Sequence, residues 1–162
     1  MKDCNLTEIE QVIILDEGIK NAPYKDTKGN WTIGIGYYIG KDIENLRLSS
    51  GACIYLMREK LQEAENIANK IFTKPLIATI APARRAVILS LIYNMGEMRF
   101  RTFKHMIEAI LSGDWDRAAE ELRDSKWARD VDPKEISGQG RDDRLVSMLE
   151  TGVYGEEYGI KT

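Results

Sequence analysis

The sequence predicts an α+β fold that is predominantly helical, with a small β region near the N-terminus, a long connecting helix and a helical remainder. Three observations favour this class. Apolar residues alternate with period two in one short stretch, over residues 31–37. Elsewhere they recur three and four residues apart, as on one face of a helix. The chain has 162 residues, which is enough to bury a core within a single domain.

The first helix is predicted from about Glu8 to Glu17. Thr7 and Glu10 form a T-x-x-E capping box just ahead of the apolar run VIIL. Gly18 is a natural helix stop, because glycine accepts the backbone conformation that ends helices. Glu17 is therefore expected at a helix C-terminus, next to a break in the chain.

A β-hairpin is predicted after this helix. The segment DTKGN, residues 26–30, is typical of a turn, because Gly and Asn accept positive φ and Asp caps locally. The strand that follows, residues 31–37, carries Gly34 and Gly36 on its alternate face, which would let another group approach the backbone closely. The β region is predicted to end near Gly40.

The rest of the chain is predicted to be helical. A helix of roughly 20–25 residues begins near Ser49 or Ser50 and ends before Pro75. Pro82 suits the first turn of the next helix, which is apolar on all sides and therefore central and buried. A cleft between the β lobe and the helical lobe would be the natural place for a ligand. Shorter helices are predicted at about Thr102–Leu111, Asp114–Asp124 and Arg141–Glu150.

Composition argues against several classes of protein. Lys plus Arg is 23 and Asp plus Glu is 26, a net charge of 23 − 26 = −3, whereas a dedicated nucleic-acid binder shows a strong basic excess. No apolar run approaches the roughly 18 residues of a membrane span, and the start MKDCNLTEIEQ lacks the apolar stretch of a secretory signal. Two cysteines, Cys4 and Cys53, fit a reducing cytosol. We therefore expect a soluble domain made in the cytosol, without nucleic acid or membrane insertion.

A single histidine, His105, limits the possible chemistry. Zinc enzymes take several ligands rich in His, and neither HExxH nor CxxC occurs, so no metal site is expected. A Ser/His/Asp or Cys/His nucleophile would need His105, for which a surface or partly buried structural role is the simpler interpretation. Neither GxxxxGK[ST] nor GxGxxG is present. If the protein is an enzyme, it is expected to work with carboxylates and without a cofactor.

The most informative stretch is LDEGIKNAPYKDTKGNWTIGIGY, residues 15–37. It holds Glu17, then eight residues before Asp26, then five residues before Thr32. Hydrolysis of a glycosidic bond needs two carboxyl groups, one as proton donor and one as base or nucleophile. In a chain with 26 acidic residues, spacing alone would favour two solvated surface groups. The hairpin, the TIGIG strand and the helical remainder favour the catalytic interpretation.

This stretch resembles the catalytic segment of the phage-type lysozymes, the endolysins typified by the T-even phage enzyme. Weaker resemblance continues through ARRAVILSLIYNMGE, F-x₆-I-x₂-GDWDRAAEEL-x₄-W and GRDDRLVSMLETGVY. The resemblance implies a single lysozyme-like domain over residues 1–162, with an active-site cleft between two lobes that the long helix joins. These lobes would comprise about 12–60, and 1–11 plus 70–162.

The resemblance also implies a role for each matching position. Glu17 matches the proton-donating Glu, Asp26 the second catalytic carboxylate, and Thr32 the hydroxyl that helps hold the attacking water. Arg141 matches an Arg that pairs with the catalytic Glu from the C-terminal lobe. Family sugar contacts and one residue flanking the cleft map onto Tyr38, Tyr93, Met106, Glu121 and Asn94.

Two departures from the family pattern concern the β lobe. IGIGH reads IGIGY here, so Tyr37 replaces a histidine whose role is a structural ion pair, which affects stability rather than catalysis. The segment between Gly36 and Ser49 is also short, which implies a trimmed lobe.

The function implied is that of an inverting muramidase. It would hydrolyse the β-1,4 bond between N-acetylmuramic acid and N-acetylglucosamine in the glycan strands of bacterial peptidoglycan, as a monomer. Inversion requires about 6.5–9.5 Å between the two carboxyl groups. The enzyme would accumulate in the host cytoplasm and leave through a holin-type lesion. The alternative is a non-catalytic wall-binding module of the same fold, which need not retain Glu17, Asp26 and Thr32. A helical DNA-binding protein ranks third, because of the net charge of −3.

Three further features have structural interpretations as well as functional ones. The region 84–104 is locally basic and could attract an anionic wall polymer, although a solvated face is the simpler interpretation. Its basic residues are Arg84, Arg85, Arg99, Arg101 and Lys104, and its one acidic residue is Glu97. Trp115 and Trp127 are expected in the core rather than on a sugar platform.

Overall fold

The computed structural model describes residues 6–40, 47–130 and 140–160. These residues form an α+β fold that is predominantly helical, as predicted, with a three-stranded antiparallel sheet in the order β1-β2-β3. The chain divides into two compact units, Met1–Glu63 and Ala64–Thr162. The predicted lobe boundaries, about 12–60 and 1–11 plus 70–162, stay a prediction. Cys4, and residues 41–46 of the shortened segment before Ser49, lie outside the described residues.

The first unit contains α1 and the sheet. The helix α1 covers Glu8–Glu17, and its predicted capping box is present: the Glu10 N–H donates to Thr7 Oγ1 at 3.4 Å, and the Thr7 N–H donates to Glu10 Oε2 at 2.7 Å. Gly18 ends the helix with φ +67°. The strands are β1 (Lys20–Lys25), β2 (Trp31–Gly34) and β3 (Tyr37–Gly40).

The predicted strand over residues 31–37 is wrong, because the structure divides it into two strands. Gly34 and Gly36 have φ values of +69° and +67°, which an extended strand does not contain. Ile35 and Gly36 form a tight turn, and Tyr37 begins β3. The two glycines satisfied a period-two pattern in the sequence, but they are present because the turn needs positive φ.

The long helix α2 covers Ser50–Phe72, a length of 23 residues, in agreement with the prediction. Ser49 caps it, since its hydroxyl oxygen accepts a hydrogen bond from the Ala52 N–H at 3.2 Å. The helix begins in the first unit and ends in the second. Its buried stripe consists of Cys53, Ile54, Met57, Leu61, Ala64, Ile67, Ala68 and Phe72.

The second unit is helical in the residues that the structure describes. Pro82 starts the central helix α4, which is buried on nearly all sides between Ala86 and Tyr93. Gly96, with φ +75°, interrupts this helix close to its predicted end. The Phe100 ring packs edge-on against Phe72, with 6.1 Å between ring centroids. The helices are α3 (Lys74–Thr79), α4 (Pro82–Phe100), α5 (Lys104–Ser112), α6 (Trp115–Arg123), α7 (Lys126–Asp130) and α8 (Arg141–Thr151), followed by a 3₁₀ turn at Glu156–Tyr158.

The local signals that predicted the later helices are present in the structure. Asp114 caps α6 by accepting the Arg117 N–H at 3.1 Å. Gly152 ends α8 in the left-handed conformation, with φ +75°. The short helices α3 and α7 were not predicted, since six and five residues are too few for a helical period to show. None of the described helices is both long and apolar enough to cross a membrane.

Candidate active site

The first unit holds the three residues predicted to carry the chemistry. Glu17 is the last residue of α1, Asp26 opens the turn between β1 and β2, and Thr32 lies within β2. The helix end, the turn and the strand that carry these residues therefore belong to one compact unit.

Asp26 is held by its own turn. Its Oδ1 accepts hydrogen bonds from the Lys28 N–H at 2.9 Å and the Asn30 N–H at 2.8 Å. Its Oδ2 accepts from the Asn30 side-chain amide at 3.2 Å. The Asp26 N–H also donates to the Asn30 carbonyl at 2.9 Å, which closes the hairpin. The turn sequence thus fixes the carboxylate as well as the backbone.

These hydrogen bonds determine the charge of Asp26. Burial by itself would raise the pKa of this carboxyl, but the hydrogen bonds from Asn30 and Lys28 and the Lys28 charge outweigh it and hold the pKa below its ordinary value. Asp26 is only partly buried. It is therefore an ionised carboxylate at neutral pH, able to attract and orient a water molecule.

The Glu17 carboxyl lies against the backbone of the β2–β3 turn. A Cβ added at Gly36 would lie 3.1 Å from Glu17 Oε2, closer than ordinary contact. The Gly36 carbonyl accepts a hydrogen bond from Lys60 Nζ at 3.3 Å. The close approach predicted at the two glycines is confirmed, because Gly34 similarly faces Cys53, whose Sγ would be 3.4 Å from an added Cβ.

Thr32 occupies the central strand, where its side chain is buried. Its hydroxyl donates to the Asn30 carbonyl at 3.4 Å, within the turn that holds Asp26. In the register of the sheet, Thr32 is opposite Tyr24 of β1 and Tyr38 of β3. Tyr38, a predicted sugar contact, is 59% exposed and so can reach a ligand from solvent.

Tyr24 is a residue that the sequence reasoning missed. Burial raises the pKa of its phenol, and the negative charges of Glu17 and Asp26 raise it further. Tyr24 therefore lies in the electric field of both proposed catalytic carboxylates. The signal available in the sequence was its place two residues before Asp26, on the same side of an extended strand.

The second unit holds the other predicted contact residues. Tyr93 is buried in α4, and the neighbouring Asn94 accepts a hydrogen bond from Trp127 Nε1 at 3.0 Å. Arg141 is also buried; it donates to Ser90 Oγ at 3.3 Å, and its guanidinium lies 5.9 Å from the centre of the Trp127 ring. Trp127 thus connects two of the predicted residues, and its predicted core position is confirmed.

Met106 and Glu121 line a cavity of about 350 Å³ in the same unit. Phe103 and Trp127 contribute aromatic walls, while Lys126 lies among its polar lining residues. The structure therefore brings Met106 and Glu121 together, and Trp127 links this cavity to Asn94. Aromatic walls with a few polar groups are typical of small-ligand sites.

Much of the locally basic region is engaged in structural contacts. Arg84 donates to the carbonyls of Leu149 at 2.9 Å and Glu150 at 2.7 Å, and its guanidinium lies 4.5 Å from the Trp115 ring centroid. Arg85 pairs with Glu65 at 3.0 Å. These contacts favour the structural interpretation over attraction of an anionic polymer, and Trp115 is half-buried beneath Arg84 rather than in the core.

His105 lies on the surface of its helix, beside an acidic residue. The His105 side chain is 67% exposed and lies 3.5 Å from Glu108, one turn along the same helix. In the described ranges 6–40, 47–130 and 140–160, no three His, Cys, Asp or Glu side chains are grouped to hold a metal ion.

Comparison with known protein families gives a match over more than half of the chain. The family model described as phage lysozyme matches residues 15–142, a range that includes Glu17, Asp26 and Thr32. The chain belongs to the phage lysozyme family.

The chain is also similar in sequence to individual members of known families. The chain is 30% identical to "Probable T4-type lysozyme 2" of Dictyostelium discoideum, over 93% of this chain and 98% of that protein. It is 27% identical to "Probable T4-type lysozyme 1" of the same organism, over 91% and 96%. It is 34% identical to the SAR-endolysin of Enterobacteria phage P21, over 66% of this chain and 62% of that protein.

Proposed function

We propose that this protein is a lysozyme that hydrolyses the β-1,4 bond between N-acetylmuramic acid and N-acetylglucosamine in bacterial peptidoglycan. The observation that carries the proposal is the different setting of two carboxyl groups within one unit. Asp26 is held ionised by three hydrogen bonds in its turn, whereas Glu17 packs against the bare backbone of Gly36. Separate environments are how two carboxyl groups take separate roles.

In this mechanism Glu17 is the general acid. It donates its proton to the oxygen of the leaving sugar as the glycosidic bond breaks. Gly36 leaves room for the carboxyl group to lie flat against the chain, since any side chain there would press on Oε2. The fit of the Glu17 carboxyl therefore depends on the absence of a Cβ at one position.

Asp26 and Thr32 activate and orient the attacking water. The Asp26 carboxylate accepts a proton from a water molecule as the water oxygen attacks the anomeric carbon, and the Thr32 hydroxyl orients that water. The Asn30 segment connects the two, because its backbone binds Asp26 through N–H and Thr32 through C=O. Attack by a water on the face opposite the leaving group gives inversion of the anomeric centre.

The remaining predicted residues would bind the glycan strand. Tyr38 offers an exposed ring in the first unit, and rings of this kind pack against sugar faces. In the second unit, Tyr93, Asn94, Met106 and Glu121 would contact substrate, and the cavity that Met106 and Glu121 line supports this role for those two residues. The protein would act as a monomer after leaving the host cytoplasm through a holin-type lesion.

Loss of turbidity of permeabilised bacteria tests the proposal. Wild type should lyse the cells, and Glu17→Gln should lower the rate by about 10²-fold or more, because the amide has no proton to donate. Glu59→Gln is the matched control, since Glu59 is an exposed glutamate of the same unit. It should lyse cells at the wild-type rate.

Product analysis separates hydrolysis from binding and fixes the stereochemistry. Soluble glycan strands incubated with the wild type should yield new reducing ends. NMR should show that the anomer formed first has the configuration opposite to that of the bond that was cleaved. Wall binding without reducing ends would establish the binding module instead. Lysis by Glu17→Gln above about 1% of the wild-type rate would remove Glu17 as the acid.

A further inference from the structure

Tyr24 lies at the centre of the proposed site without having been assigned a role. It is two residues before Asp26 and directly opposite Thr32 in the β1–β2 register. Partners across an antiparallel pair point to the same side of the sheet, with Cβ atoms about 4.5–5.5 Å apart. The Tyr24 ring is therefore an immediate lateral neighbour of the Thr32 side chain.

An irregularity in β1 precedes Tyr24. Lys20 is opposite Gly34 and Tyr24 is opposite Thr32, so three residues of β1 face one residue of β2 between these pairs. Pro23 falls within this stretch and has no N–H to donate to a regular ladder. Bulges of this kind bend a strand and redirect its side chains.

The bend brings a cation over the tyrosine ring. Lys20 Nζ lies 4.2 Å from the centroid of the Tyr24 ring, within the range of a cation–π interaction. The ring is half-buried, with Lys20 over its face and Thr32 across the ladder. The Lys20 cation thus holds one face of a ring that lies opposite Thr32 in the sheet.

The electrostatics of Tyr24 agree with a place beside the reacting groups. Burial and the charges of Glu17 and Asp26 raise the pKa of its phenol above the ordinary value, so Tyr24 is neutral at neutral pH. A neutral ring can stand beside two carboxylates without competing with them for protons.

We propose that Tyr24 is a positioning residue of this site, whose ring, held by Lys20, keeps the Thr32 hydroxyl directed at the water that Asp26 activates. The proposal rests on the function proposed above. The aromatic ring of Tyr24, rather than its hydroxyl, has the positioning role. Tyr24 affects the reaction only through the orientation of Thr32.

Three substitutions test the role of the ring. Tyr24→Ala and Tyr24→Leu should each lower kcat on soluble glycan strands by about 10-fold with little change in KM, because misplacing a reacting group slows chemistry more than binding. Tyr24→Phe should retain kcat within about 2-fold, since it keeps the ring. Melting temperatures identify any variant that fails to fold, and the leucine variant preserves much of the buried volume. Tyr55→Ala, at a tyrosine 63% exposed in the same unit, is the control and should leave kcat unchanged.

A double-mutant cycle tests the route through Thr32. In a Thr32→Ala background, Tyr24→Ala should lower kcat by less than about 2-fold, because the group it positions is already absent. Full additivity of the two losses would overturn the proposal, as would a Tyr24→Phe variant as slow as Tyr24→Ala. An inactive Glu17→Gln with unaffected Tyr24 variants would refute this inference alone, whereas an active Glu17→Gln would refute the proposed mechanism.

Discussion

The ion pair between Glu10 and Arg58 should control the acid stability of the first unit. Glu10 is 3% exposed in the first turn of α1. Its carboxylate accepts hydrogen bonds from the guanidinium of Arg58 on α2 and from the Thr7 N–H at 2.7 Å. The pair therefore ties α1, whose last residue is Glu17, to the long helix.

The stability that the Glu10–Arg58 pair contributes depends on how deeply the two side chains are buried. Removing one partner of a fully buried pair costs about 3–5 kcal/mol, but the Arg58 side chain is 45% exposed, so solvent weakens the pair. Arg58→Met keeps much of the aliphatic packing and leaves Glu10 with its Thr7 bonds. We expect a loss of about 2 kcal/mol, which lowers the melting temperature by about 4–8 °C in a protein of this size.

The pH dependence distinguishes this pair from simple packing. Burial by itself would raise the pKa of Glu10, but the hydrogen bonds from Arg58 and Thr7 outweigh it and hold the pKa below the ordinary value of 4.5. A carboxyl whose pKa is lower in the folded state contributes stability that is fully present above its unfolded pKa and is lost as the pH falls through the folded one. The advantage of wild type over Arg58→Met should therefore be constant near neutral pH and should shrink as the pH falls below the ordinary pKa of 4.5.

Thermal unfolding of both proteins, followed by circular dichroism from pH 3 to pH 7, measures this difference. Arg47→Met, which removes an exposed arginine of the same unit, controls for the loss of one positive charge. A difference of equal size at pH 3 and pH 7 would refute the assignment to an ion pair and leave only packing.

Other predictions concern the site and its departure from the family. Asp26→Ala should reduce the turbidity-clearing rate more than Thr32→Ala, since the first removes the base and the second only misplaces the water; wild-type rates for both would place the water elsewhere. Gly36→Ala should cost about 1–2 kcal/mol of stability and in addition slow lysis, because its Cβ meets the proposed acid at 3.1 Å. Gly40→Ala, also at positive φ but with no neighbouring atom within 4 Å, should show the stability loss in thermal melts without the slower lysis; equal rates for the two variants would contradict the contact. Tyr37→Phe should leave the melting temperature nearly unchanged and Tyr37→Ala should lower it, because this half-buried residue contributes its ring, worth a few kcal/mol at most; loss of lysis in a well-folded Tyr37→Phe would instead show the hydroxyl acting on substrate.

Local chemistry determined much of the fold. The capping box of α1, the serine cap and apolar stripe of α2, and the cap at Asp114 each depend on residues within a few positions of one another. For the same reason the turn at residues 26–30 was predictable, together with the constraint it places on Asp26. Signals of this kind depend only on the order of residues along the chain and on backbone preferences.

The proposed catalytic residues were less accessible to such reasoning. Spacing alone did not distinguish Glu17 and Asp26 from surface acids, and the resemblance to a family supplied their roles. The contacts that support those roles join distant positions: Glu17 with Gly36, and Tyr24 with Thr32. A one-dimensional pattern does not specify which backbone a carboxyl will touch.

Tertiary structure alone decided the remaining features. The pattern over residues 31–37 fits one strand by alternation, and only the positive φ of Gly34 and Gly36 shows that it is a turn between two. Arg84 looked like part of a basic surface, but the end of α8 takes up its guanidinium through two carbonyls. Helix-terminal carbonyls need donors, and whichever side chain the fold brings there provides them. Periodicity and caps are local properties of the sequence, whereas the partners of a buried or charged group depend on which segments pack together.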